Sequence, residues 1–227
     1  MKIGFFCLVL LFLADPSLGR IHHTHPRHEA RVWTTKFRKT IFRVVKLPNC
    51  NHLETIITYR LPGETKECAK KRLGGVAVCT ACFYNPTNLR PVDFFRRNGK
   101  ITVGREIGRP FLKINENGPI EISRDYSTLY QDPSCDALAL GPQLVPYYHD
   151  GFSMDFASQK TDRMALAMTR NYLYIVQGKT NLKTLEKFIN KKLRSNSAIN
   201  TDGGHSVKGY SPFHLVFRWK KLPPRLR

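Results

Sequence analysis

From Val32 onward the apolar residues come in short runs, and Gly, Pro or Asn interrupts them repeatedly. Such runs fit strands better than helices. Phe37 to Leu47 and Leu53 to Leu61 read as strands, with a turn over Pro48 to His52. Gly75 to Tyr84 reads as a buried strand closed by Asn85-Pro86. Asn98-Gly99 predicts a hairpin, because both residues tolerate the positive φ that a tight turn needs. Asn117-Gly118-Pro119 predicts another, between Phe111–Ile114 and Ile120–Ile122. Asp132 to Ser134 opens a loop, and Gly141-Pro142 breaks the apolar stretch Ala137 to Val145. Met164–Thr169 and Tyr172–Gln177 predict a hairpin over Arg170-Asn171, and Ala198–Thr201 and Leu215–Trp219 read as further strands. Two segments carry a helical pattern. Thr65 to Leu73 has Thr65 as N-cap and Gly74-Gly75 as its stop. Asn181 to Ser195 puts Leu182, Leu185, Phe188, Ile189 and Leu193 on one face and Lys183, Lys187, Lys191 and Arg194 on the other. These patterns predict a single α+β domain, with mixed or antiparallel sheets and two helices packed on them.

The ends read differently. Lys2, the apolar run Ile3 to Ala14 and the small residues Ser17-Leu18-Gly19 form a cleavable signal peptide over 1–19. The expected location is therefore secreted or periplasmic, with no transmembrane segment after cleavage. Residues 20–31 form a polar, His-rich tail, 32–222 the domain and 223–227 a basic C-terminal tail. Cleavage after Gly19 would make His22 the third residue. A free amine with His at position three suits square-planar copper or nickel. No other cofactor is implied.

The chain carries a formal charge of +20. That excess attracts polyanions such as acidic glycans, anionic lipid or nucleic acid through the basic surface, or else it serves solubility. No zinc-finger spacing and no aromatic RNA-binding signature accompany it. Of the 6 cysteines, Cys7 leaves with the signal. Cys50, Cys68, Cys79, Cys82 and Cys135 remain, and export favours disulfides among them. Cys79-Thr80-Ala81-Cys82 lacks a second CxxC to complete a four-cysteine metal site, so buried structural thiols are expected there.

The segment Asn200-Thr201-Asp202-Gly203-Gly204-His205-Ser206 places one carboxylate at the end of a strand. Two glycines behind it let the chain turn and a ligand approach. It closes a series of elements spread over most of residues 65–218: Gly-Gly-Val-Ala-Val leading to Cys82-Phe83-Tyr84-Asn85, Pro91, Asn98-Gly99-Lys100, Arg109-Pro110 and Asn117-Gly118. Leu140-Gly141-Pro142-Gln143-Leu144-Val145 and Arg163-Met164-Ala165-Leu166-Ala167 follow. In order and spacing this series resembles the phosphodiester glycosidase domain family. Thr80 stands where that family has Asn, Ala81 and Cys82 where it has glycines, Leu140 where it has Ser, and His205 where it has Gly.

The resemblance implies an exported hydrolase that releases a sugar from a phosphodiester-linked glycan or a related phosphate-linked sugar. A sugar phosphate leaves readily, since its second pKa lies near ~6. Strong acid catalysis is then less necessary than in ordinary glycoside hydrolysis. What is required is a cation for the phosphate and a carboxylate near the anomeric carbon. Arg163 is the implied phosphate clamp and Asp202 the implied base or nucleophile. Arg109, Gly203, Gly204, His205 and Ser206 are the implied substrate contacts. Read from the residues alone, Asp202 would order a turn and Arg163 would pair with Asp162 or another acid. Asp93, Glu54 and Asp155 are equal candidates for a second carboxylate. The replacements at Thr80, Leu140 and His205 leave a further alternative open, a catalytically inactive member of the same fold that binds polyanions by charge.

Overall fold

A computed structural model describes residues 29–103, 108–116, 119–146 and 153–220. The signal peptide, His22, the Asn117-Gly118 turn and the tail 223–227 lie outside the described residues.

The described residues open with a hairpin where one strand over 37–47 was expected. β1 (Arg31–Phe37) and β2 (Thr40–Pro48) pair antiparallel from Phe37↔Thr40 outward. The turn is Arg38-Lys39, with Arg38 at φ 55°. Neither residue is a turn former, so the sequence carried no sign of it. β3 (Leu53–Glu64) precedes α1 (Lys66–Arg72), where Thr65 Oγ1 accepts the Cys68 N–H at 3.2 Å as an N-cap. Such a cap contributes about 1 kcal/mol. β4 is only Ala77–Thr80, shorter than the run over 75–84 implied.

β5 (Phe95–Arg97) and β6 (Lys100–Val103) join through Asn98 and Gly99, both at positive φ (50° and 71°). β7 (Phe111–Ile114), β8 (Ile120–Ser123), α2 (Ser127–Gln131), β9 (Asp136–Ala139), β10 (Gln143–Val145) and α3 (Met154–Ser158) follow. β11 (Thr161–Met168) and β12 (Tyr172–Thr180) form the expected hairpin. Asn181 caps α4 (Leu182–Phe188) by accepting the Thr184 N–H at 2.9 Å, and a π-helical turn (Ile189–Leu193) prolongs that helix. β13 (Ser197–Asn200), α5 (His205–Lys208) and β14 (Ser211–Trp219) complete the fold.

The strands form three sheets among the described residues, ordered β1-β2-β12-β11-β13-β10, β3-β14-β4 and β6-β5-β9-β7-β8. Every ladder is antiparallel. The expected α+β domain is thus sheet-dominated, and short helical segments accompany the two read from the sequence. Met164, Leu166 and Met168 of β11 point into a core shared with Phe213, Leu215 and Phe217 of β14 and with Leu112 and Leu138 of the third sheet. The alternate residues Ala165 and Ala167 face the other way, onto Leu182, Leu185, Phe188 and Ile189. Two-residue alternation therefore buries both faces of the first sheet. Each large side chain so buried contributes about 1.5–3 kcal/mol. Lys183, Lys191 and Arg194 lie exposed on the far side of the helix.

The disulfide expectation fails: Cys50, Cys68, Cys79, Cys82 and Cys135 are all free thiols. Cys79 and Cys82 are buried in the shared core. Among the described residues no helix is long and apolar enough to cross a membrane.

Candidate active site

Asp202 sits just beyond β13, where pieces distant in sequence meet. Its N–H donates to the Ala81 carbonyl at 2.9 Å, and its own carbonyl accepts from Thr80 Oγ1 at 2.6 Å. Thr80 Oγ1 also lies 2.9 Å from Thr201 Oγ1. The Gly141-Pro142 element holds the preceding residue: Gly141 N–H donates to the Asn200 carbonyl, Asn200 N–H to that of Pro142, each at 2.9 Å, and Asn200 Nδ2 to that of Gly141 at 3.1 Å. The strand end is therefore fixed from two directions.

The two glycines are required here for different reasons. A Cβ on Gly203 would come 2.9 Å from the Asp162 carbonyl oxygen. Gly204 has φ 59° and ψ −126°, backbone that favours glycine. Its N–H donates to the same Asp162 carbonyl at 2.7 Å. The turn thus packs against β11.

The Asp202 carboxyl is partly buried and is held by hydrogen bonds from Ser206 and from the Gly203 N–H at 2.8 Å. No cation pairs with it among the described residues. Burial pushes its pKa up to about 6, against those two hydrogen bonds, which pull it down. Ser206 is itself buried and lies 3.5 Å from the Tyr84 hydroxyl. Burial, then the charges of Asp202 and Asp93, holds the Cys82 thiol well above its usual value. Cys82 is therefore a neutral filler close to two carboxylates.

The arginines have other engagements. Arg163 is 1% exposed, and its Nη2 donates to the Phe156 carbonyl and, at 3.4 Å, to that of Gln159. Its guanidinium lies 4.2 Å from the centre of the Phe156 ring. Asp162, one of the acids considered for Arg163, pairs instead with Lys208 at 2.8 Å. Arg163 reaches the site through its stem, which a Cβ on Gly203 would meet at 3.8 Å. Arg109, 24% exposed, pairs with the buried Asp93 at 3.2 Å. Its guanidinium stands 5.9 Å from the centre of the Phe83 ring, and Phe83 meets Phe156 edge-on at 6.1 Å. Two aromatic rings therefore link the arginines, a connection the sequence did not disclose. The only hint was the position of Phe83 directly after Cys82.

His205 is exposed, and its ring lies over Gly209, where a Cβ would come 2.6 Å from Nε2. Of the three candidate second carboxylates, Asp93 alone neighbours Cys82 and Arg109. Glu54 pairs with Arg218 at 2.6 Å, and Asp155 is exposed on α3. Leu140 is fully buried, where a seryl hydroxyl would have needed a partner. Among the described residues no three His, Cys, Asp or Glu side chains gather as metal ligands.

No protein-family model matches the sequence, and no curated protein matches it either. Solved structures do. The catalytic domain of zebrafish N-acetylglucosamine-1-phosphodiester alpha-N-acetylglucosaminidase, auto-inhibited by its pro-peptide, superposes with a TM-score of 0.67 at 14% identity, over 88% of this chain and 86% of that one. A hypothetical protein from Synechocystis gives a TM-score of 0.69 at 11% identity, over 84% of this chain and 62% of that one. The chain thus spans under two thirds of the Synechocystis protein, and at these identities the likeness establishes the fold.

Proposed function

We propose that this chain is an exported hydrolase of phosphate-linked sugars, with Asp202 as its reacting carboxylate. The observation that carries the reading is the Asp202 turn. It presents a partly buried carboxyl with no cationic partner among the described residues and a pKa near 6, where a general base is effective at neutral pH. The matching fold of the zebrafish glycosidase supports the substrate class.

In the proposed reaction, water adds to the anomeric carbon as the bond from that carbon to the phosphate oxygen breaks. The phosphate leaves with the electron pair, and Asp202 takes the proton from the water. Alternatively Asp202 attacks the carbon itself, and water later releases the sugar. Ser206 and the Gly203 N–H hold the carboxylate in either case. Arg109, partly exposed and paired with Asp93, is the cation suited to the leaving phosphate, while Arg163 positions the 156–159 segment.

A panel of sugar-1-phosphodiesters, assayed for free sugar, tests the reading. Wild-type protein should release sugar, and Asp202→Asn should lose at least ~1,000-fold in kcat, about 4 kcal/mol. Equal rates for the two would reject Asp202. Release should also rise with pH through about 6, because the active form is ionised.

A second reading, charge-driven binding of polyanions, draws on the exposed Arg31, Lys36, Arg38, Lys39 and Arg43 of the β1–β2 hairpin. It requires affinity for an anionic glycan to fall steeply with salt. Salt-insensitive binding would exclude it.

A further inference from the structure

Met164 takes part in two places at once. Its sulfur accepts from the Thr80 N–H at 3.3 Å beside the Asp202 turn, and the same residue lines a cleft of about 180 Å³ between the first and second sheets. Val45, Val78 and Ile175 contribute apolar wall to that cleft, and Arg43, Lys66 and Lys70 line it with positive charge against one carboxylate, Glu67. Arg43 is exposed and Lys70 half-exposed, so both are hydrated. Lys66 is different. It is 8% exposed, and among the described residues it makes neither an ion pair nor a hydrogen bond through its ammonium. Asp162, a more distant carboxylate, is already engaged by Lys208. Burial accordingly disfavours the charged form of Lys66.

A buried charge is costly unless a counter-charge meets it. We propose that the cleft binds a small organic monoanion, a carboxylate on a compact apolar body, with Lys66 as its counter-charge. One negative charge balances Lys66, the least exposed cation of the cleft. The apolar walls take the body, and the volume is comparable to the ~150 Å³ cavity that accepts benzene. Inorganic phosphate carries more charge and no apolar part, so it fits this lining poorly. This site is separate from the Asp202 chemistry and does not rest on it.

Benzoate is the probe, measured by titration calorimetry on the purified protein, with inorganic phosphate as competitor. Wild type and Asp202→Asn should bind benzoate within twofold of each other, which separates this site from the glycosidase reading. Lys66→Met should bind at least tenfold more weakly, and phosphate should not displace benzoate. Val45→Phe, which narrows the cleft and keeps the charge, should lose binding as well. Absence of millimolar binding to wild type, undiminished binding to folded Lys66→Met or Val45→Phe, or displacement by equimolar phosphate would each overturn the proposal.

Discussion

Two carboxylates adjoin Cys82, and the protein treats them oppositely. Asp93 is 2% exposed and pairs with Arg109 at 3.2 Å. Asp202 is less buried, yet it receives only a hydroxyl and a backbone N–H, and its pKa rises to about 6. The arginine whose stem passes beside the Asp202 turn, Arg163, spends Nη2 on two carbonyls instead. A structural carboxylate is given its counter-ion, whereas a reacting one must be able to take a proton. The contrast separates a buried acid paired with a cation from a partly buried acid held by hydrogen bonds, the one proposed to react.

The largest test of that contrast in stability is Arg109→Met. It would leave Asp93 buried without its cation, at a cost of about 3 kcal/mol. The double variant Asp93→Leu/Arg109→Met should recover most of the loss, since no isolated charge then remains. Denaturant unfolding measures both. A single-variant loss below ~1 kcal/mol would mean that the pair does not hold Asp93, and the contrast would collapse.

Asp202→Asn should move stability the other way. The folded pKa lies near 6 and the ordinary value at 3.8. The folded state therefore prefers the protonated acid, and ionisation costs stability that is lost as pH rises from about 4 to about 6. A gap of roughly two units corresponds to at most ~3 kcal/mol above that window. Asn carries no such cost. The variant should be more stable than wild type at pH 8 and about equal to it at pH 4. A gain that does not vary with pH would assign the effect to packing rather than charge.

Much of this arrangement was legible in the sequence, for reasons tied to particular residues. Asp202, Gly203 and Gly204 stood out because a turn with close backbone approach demands small residues, and the 2.9 Å approach of the Asp162 carbonyl to a Cβ on Gly203 is that demand. Thr65 and Asn181 marked helix starts because capping is local. The Arg38-Lys39 turn was invisible, since its geometry is imposed by pairing of the flanking strands rather than by its own residues. The fate of Arg163 was equally hidden. Its Nη2 donates to main-chain carbonyls, which every residue carries, so no side-chain pattern could announce those bonds. The choice among Asp93, Glu54 and Asp155 needed three-dimensional neighbours for the same reason.

The smallest test sharpens the comparison most. Ser206 donates to Asp202, and that bond lowers the carboxyl pKa against the pull of burial. Ser206→Ala should cost only about 1 kcal/mol in stability, as one hydrogen bond is lost. Its diagnostic effect is on titration. With less stabilisation of the anion, the Asp202 midpoint must move above 6, and the pH dependence of sugar release must move up with it. Arg109→Met, acting on the other carboxylate, should leave that midpoint nearly in place while it lowers stability. If both variants shifted the profile equally, the two acids would form one coupled unit. If only Ser206→Ala shifted it, the division of labour between Asp93 and Asp202 would stand on a measured difference.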